Sequence, residues 1–168
     1  LFRSGQFYFD TTQLTDTQRE ESKQITFRLL YGGIDKEFLE IPFFEKVNTF
    51  IYNLWNKWKK QRYVETPITK RKLLAENLKN MTANKLFNYY LQAVETEVSV
   101  QKLSALLTAL KPYQSHIILY TYDSILLDVN YSEAKEILPL CKRILEQGNF
   151  PVKCKVGTAY DRMNIISV

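Results

Sequence analysis

The sequence predicts an α+β fold, predominantly helical, with a small antiparallel sheet. Helical periodicity runs through most of the first 110 residues and again after Asn130. Two β-rich runs, Ile117-Ile118-Leu119-Tyr120 and Ile125-Leu126-Leu127, flank the turn sequence Thr121-Tyr122-Asp123-Ser124. A last β-rich run, Pro151 to Val156, supplies a third strand beside that hairpin.

The elements follow in order. Residues 1–16 are polar and aromatic with weak periodicity. A capping box, Thr17-x-x-Glu20, opens a helix that Gly32-Gly33 closes. A second helix runs from about Pro42 to Lys60, with Phe43, Phe44, Val47, Phe50, Ile51, Leu54, Trp55 and Trp58 on one broad face. Its last turn, Lys57-x-Lys59-Lys60, suits the negative end of the helix dipole. Tyr63 to Thr69 reads as a short hairpin tipped by Lys70-Arg71-Lys72. A long helix spans about Thr82 to Leu110 and stops at Lys111-Pro112. After the central hairpin, Asn130-x-x-Glu133 caps a helix to about Gln147, which Gly148-Asn149 ends. With no internal repeat, low-complexity tract or linker, the chain reads as one unit.

Size and composition bound the function. A chain of 168 residues, 45% hydrophobic and 24% charged, builds a globular domain with a sizeable core. Its net charge of +5 is compatible with a polyanionic partner without requiring one. Cys141 and Cys154 are too few and too far apart for a zinc knuckle or disulfide framework, so a reducing compartment, the cytoplasm, is the default. No apolar run approaches the roughly 18 residues of a membrane span, so no membrane partner is expected.

The most informative pattern is Arg19, Lys23, Phe27 and Tyr31, at steps of four running into Gly32-Gly33. Each step turns roughly 400°, so the four lie on one slowly winding stripe. Two cations could hold a polyphosphate while two rings meet a sugar or base. An amphipathic helix with a solvated basic turn and a buried aromatic turn fits the spacing equally well. The second pattern is the carboxylate of Asp123 between two apolar strands. It cannot sink into the core unpaired, so it is presented where magnesium could use it. A plain turn aspartate fits as well.

Together these patterns resemble the family A (Pol I-like) DNA polymerases. The family's fingers helix carries Arg-x3-Lys-x3-Phe-x3-Tyr-Gly, matched here by Arg19, Lys23, Phe27, Tyr31 and Gly32 without a gap. Asn88 and Gln92 match an Asn-x3-Gln that faces the primer-template minor groove, and Tyr63-Val64-Glu65-Thr66 is similar to the family's hairpin. The family's palm turn is usually His-Asp-Glu and stands here as Tyr122-Asp123-Ser124. Residues 151–157 resemble its closing strand and glycine. The resemblance implies a fingers subdomain over about 17–81 and an incomplete palm over about 82–168. Its implied partners are primer-template DNA and deoxynucleoside triphosphates.

The implied roles have physical grounds. Arg19 and Lys23 would neutralise the triphosphate, where charge builds on the leaving pyrophosphate. Phe27 would pack on the nucleotide's sugar and base, and Tyr31, beside flexible glycines, would stack near the templating base. Asn88 and Gln92 would donate to minor-groove acceptors that every base pair presents, and Tyr31, Gly32 and Tyr122 would also approach the DNA. Asp123 would hold Mg²⁺ in a two-metal site, in a cleft shared with the stripe helix. Asp123 and Lys23 are therefore the catalytic candidates.

Departures shape the remaining expectations. Ser124 cannot supply the usual second acid, and nothing before Thr17 resembles the family's first palm aspartate. The upstream part of the polymerase is then missing, which leaves an apolar sheet edge exposed and the chain inactive alone. Asp123-Ser124 and Lys23-x7-Tyr31-Gly32 also resemble single-subunit RNA polymerases, while Phe27, Asn88 and Gln92 favour the DNA enzyme. Tyr122 and Ser124 resemble phage-type members. A non-catalytic nucleic-acid-binding module is the alternative of another class. His116, the single histidine, and Asp128 read as surface groups, and the basic residues from Lys57 to Lys72 as a solvated face or a phosphate contact.

Overall fold

The computed structural model describes residues 15–121, 124–148 and 150–167, without the side chains of Asp16 and Arg19. These residues form two compact units that divide inside one long helix, between Glu97 and Val98.

The first unit opens with α1, Asp16–Gly32. Its cap is Thr15, two residues earlier than Thr17. The Gln18 backbone N–H donates to the Thr15 hydroxyl at 3.3 Å, and the Gln18 side-chain oxygen accepts the Thr15 N–H at 3.0 Å. This Thr-x-x-Gln box satisfies the helix start first, so Thr17 already lies within the first turn. Ser22, Thr26, Leu29 and Leu30 are buried. The Ser22 and Thr26 hydroxyls donate back to the carbonyls of Gln18 and Ser22, at 2.7 and 2.8 Å, which lets two polar residues sit on that face without unpaired donors. Gly33 ends the helix at φ 119°, a value that favours glycine.

A 3₁₀ turn, Lys36–Glu40, leads to α2, Pro42–Gln61. Pro42 sits in the first turn, where its missing N–H costs nothing, and Arg62 closes the helix in the left-handed conformation at φ 63°. Phe44, Ile51, Leu54 and Trp58 are buried, as the sequence periodicity requires. Phe50 is exposed, yet its ring lies 6.0 Å from Phe87 and 5.8 Å from Tyr90. Trp55 and Trp58 stack at 5.2 Å and 14°, and both belong to the core that α2 shares with Leu30, Val64 and Leu86.

The following hairpin pairs β1, Tyr63–Glu65, with β2, Lys72–Leu74. The second strand therefore begins beyond the predicted Ile68-Thr69, and Lys72 lies in it rather than at the tip. The reason is Glu97 on α3, Ala83–Leu110. Its buried carboxylate accepts from the hydroxyls of Thr66, at 2.5 Å, and Thr69, which holds residues 66–71 as a loop. Burial pushes the Glu97 carboxyl up, but hydrogen bonds from Thr66 and Thr69 and the nearby backbone outweigh it and hold the group below its ordinary value. A lowered native pKa adds stability above the ordinary glutamate range, and that stability is lost as pH falls through the native value. Thermal unfolding followed from pH 7 down to 3 should thus show a loss that Glu97→Gln lessens. An unchanged pH dependence in that variant would refute the clasp.

The second unit holds the end of α3, the antiparallel pair β3 (His116–Thr121) and β4 (Ser124–Asp128), and α4 (Ala134–Glu146). Its core is Leu106, Leu110, Ile137, Cys141 and Ile144. Asn130 caps only a 3₁₀ turn, Tyr131–Glu133, ahead of α4. Glu133 does not complete a box with it. Its carboxylate accepts instead from the N–H groups of Gln114 and Ser115, at 2.9 and 3.0 Å, and from the Ser115 hydroxyl at 2.7 Å. Ile118 and Leu119 of β3 are exposed.

The third sheet corrects the sequence reading. Residues 151–153 are not strand; β5 is Cys154–Ala159 and pairs with β6, Arg162–Ile166, rather than with the β3–β4 hairpin. A partner two residues away satisfies the β5 edge locally. Gly157 permits the pairing, because a Cβ there would collide with the carbonyl of Arg162. The class stands: α+β, mainly helical, with small antiparallel sheets.

Candidate nucleotide and nucleic-acid site

Phe27 and Tyr31 lie on the exposed face of α1, and Lys23 stands half-buried at its flank. Phe27 is 36% and Tyr31 46% exposed, with ring centroids 6.1 Å apart, so the aromatic turn is displayed rather than buried. Lys23 makes an exposed ion pair with Glu20 at 3.5 Å. Such a pair contributes about 0.3–0.5 kcal/mol, too little to keep Lys23 from a polyanion. Arg19 is on the same helix, but its side chain lies outside the described part of the structure.

The helix end meets α3. The Asn88 amide donates to the Tyr31 carbonyl at 3.2 Å, and the Asn84 amide donates to the Gly32 carbonyl at 3.0 Å. The structure thus brings together Tyr31, Gly32 and Asn88, and adds Asn84, which sequence reasoning missed. The available signal was its position one helical turn before Asn88. Asn88 and Gln92 line a cavity of about 360 Å³ together with Asn77, Lys79, Lys85 and Tyr89. Leu78 and Met81 also line it, so the lining mixes polar and apolar groups.

The basic residues Lys57, Lys59, Lys60, Arg62, Lys70, Arg71 and Lys72 are all exposed. Three of them lie over rings: Lys59 over Trp55 at 5.7 Å, Arg62 over Trp58 at 5.4 Å and Lys72 over Tyr63 at 4.6 Å. Aromatic faces hold these cations near the surface while leaving them hydrated.

In the second unit, Tyr122 and Asp123 lie outside the described residues. The strands bounding them are described: Thr121 stands opposite Ser124, and the Ser124 hydroxyl donates to the Thr121 carbonyl at 3.1 Å. Ser124 therefore has a local partner and brings no charge. His116 and Asp128 are exposed and face each other across the strands, consistent with surface roles. Among the described residues no group of three or more His, Cys, Asp or Glu could hold a metal ion, so the described groups alone do not fit a magnesium pair. No helix among them is long and apolar enough to cross a membrane.

No family model matches the chain. A curated protein, the thermostable DNA polymerase I of Thermus filiformis, is 24% identical over 180 aligned residues, covering 92% of this chain and 22% of that protein. The POL domain of Pol1 from M. smegmatis, solved in complex with DNA primer-template and dNTP, superimposes with a TM-score of 0.67 at 17% identity. That match covers 83% of this chain and 29% of that one. The fold is therefore that of part of a polymerase domain. The sequence and fold likenesses, each over most of this chain, support a fragment of a family A, Pol I-like polymerase.

Proposed function

We propose that the chain forms the fingers, about residues 17–81, and part of the palm, about residues 82–168, of a template-directed DNA polymerase of phage-like sequence character. The observation that carries the reading is the outward display of Phe27 and Tyr31, flanked by Lys23, on α1, whose end is bound by Asn88. Lys23 and Arg19 bind the triphosphate of an incoming deoxynucleotide and offset the charge that grows on its leaving group. Phe27 and Tyr31 supply ring faces to the sugar and the neighbouring base. Asn88 and Gln92 meet the minor groove of the primer-template, and the basic residues from Lys57 to Lys72 meet its phosphates. Asp123 supplies one carboxylate toward magnesium, the cofactor this reading calls for.

One carboxylate supplies too few ligands to hold two ions in place, so the isolated chain is expected to bind without synthesising. The test is binding of a fluorescent deoxynucleotide and of a primer-template duplex by the 168-residue chain, followed by primer extension with magnesium. Salt-sensitive duplex binding, nucleotide binding and background extension support the proposal. Failure to bind either ligand overturns the polymerase reading, whereas extension above background overturns only the inactivity.

A further inference from the structure

Two side-chain amides, one turn apart on α3, grip the end of α1. Asn84 Nδ2 donates to the Gly32 carbonyl at 3.0 Å and Asn88 Nδ2 to the Tyr31 carbonyl at 3.2 Å. Carbonyls in the last turn of a helix have no partner further along it. The Leu29 carbonyl is answered by the Gly33 N–H at 3.1 Å, and the Tyr31 and Gly32 carbonyls are answered from α3. Gly33 is part of the fit, because a Cβ at that position would meet Asn84 Nδ2 at 2.8 Å. Asn88 also carries a cost: its buried Oδ1 has no hydrogen-bond partner among the described residues. An amide that leaves its own acceptor unpaired is held there by what its donor does.

We propose that Asn84 and Asn88 are positioning residues, a latch that sets the Tyr31–Gly33 end of α1 and with it the direction of the Tyr31 ring. The latch goes beyond the polymerase reading, since it is tested without nucleotide or DNA and stands or falls separately.

Residue-resolved amide exchange of the 168-residue chain is the test. Asn84→Ala and Asn88→Ala should each speed exchange of the Gly33 amide about fivefold, and the double variant roughly 25-fold. Ile51 and Leu54 in α2 should keep their wild-type rates. Asn88→Asp keeps the size of the side chain and removes its donor, so it must behave like Asn88→Ala. An unchanged Gly33 rate, wild-type behaviour of Asn88→Asp, or equal acceleration at Ile51 overturns the latch. Should the variants fail to fold, the wild-type chain decides: the Asn84 and Asn88 side-chain NH₂ groups should exchange slowly and show through-space contacts to Gly32 and Tyr31. Absence of both overturns it.

Discussion

Asp123→Asn, in a chain joined to the upstream palm segment of a family A polymerase, is expected to lower primer extension about 1,000-fold while leaving duplex affinity unchanged. The substitution keeps the shape of the side chain and removes its charge. The strands on either side, ending at Thr121 and beginning at Ser124, pair directly and are rich in Ile and Leu. An ionised group between two apolar strands is too costly to bury without a partner, which is the ground on which the proposed function gives Asp123 to a cation. Ser124 spends its hydroxyl on the Thr121 carbonyl and cannot take over the charge. Single-turnover extension and gel-shift binding measure the two halves of the expectation. Equal synthesis by the variant would remove Asp123 from the catalytic assignment, and a parallel loss of duplex binding would make its role one of folding.

The second large effect belongs to Lys23. In the same extended chain, Lys23→Met should cost about 100-fold in kcat/KM for the incoming nucleotide, since it removes one fixed cation from a developing charge. Its salt bridge with Glu20 is exposed and i,i+3, so the variant loses little stability and the effect reads on ligand rather than fold. Glu20→Gln is the matched control and should leave turnover near that of the parent. Lys23→Arg should recover only part of the activity, because a planar fork does not replace a compact ammonium. Full activity of Lys23→Met would show that the stripe does not hold the triphosphate.

Much of this architecture was legible because apolar spacing and backbone chemistry agreed. Pro42, the apolar face of α2 and the basic residues Lys59 and Lys60 fixed that helix to within a residue. Caps were less legible, since Thr15-x-x-Gln18 and Thr17-x-x-Glu20 offer the same chemistry two residues apart. Geometry, not composition, chooses between such boxes. Strand β6 went unseen because Arg162, Asn164 and Ile165 are all exposed, leaving little hydrophobic contrast for a period of two. The Glu97 clasp on Thr66 and Thr69 joins residues about thirty apart and leaves no local pattern. At the candidate site, the stripe could be read from spacing alone. The outward direction of its rings could not, because an amphipathic helix with the opposite burial has the same sequence.

Both tryptophans of the chain, Trp55 and Trp58, sit in α2 within the first unit. Intrinsic indole emission is therefore a private reporter of that unit and silent about β3–β6 and α4. Circular dichroism at 222 nm, which α4 and the end of α3 also feed, sums over both. Denaturation curves recorded by the two optical signals need not superimpose, and their separation would measure how independently the halves melt.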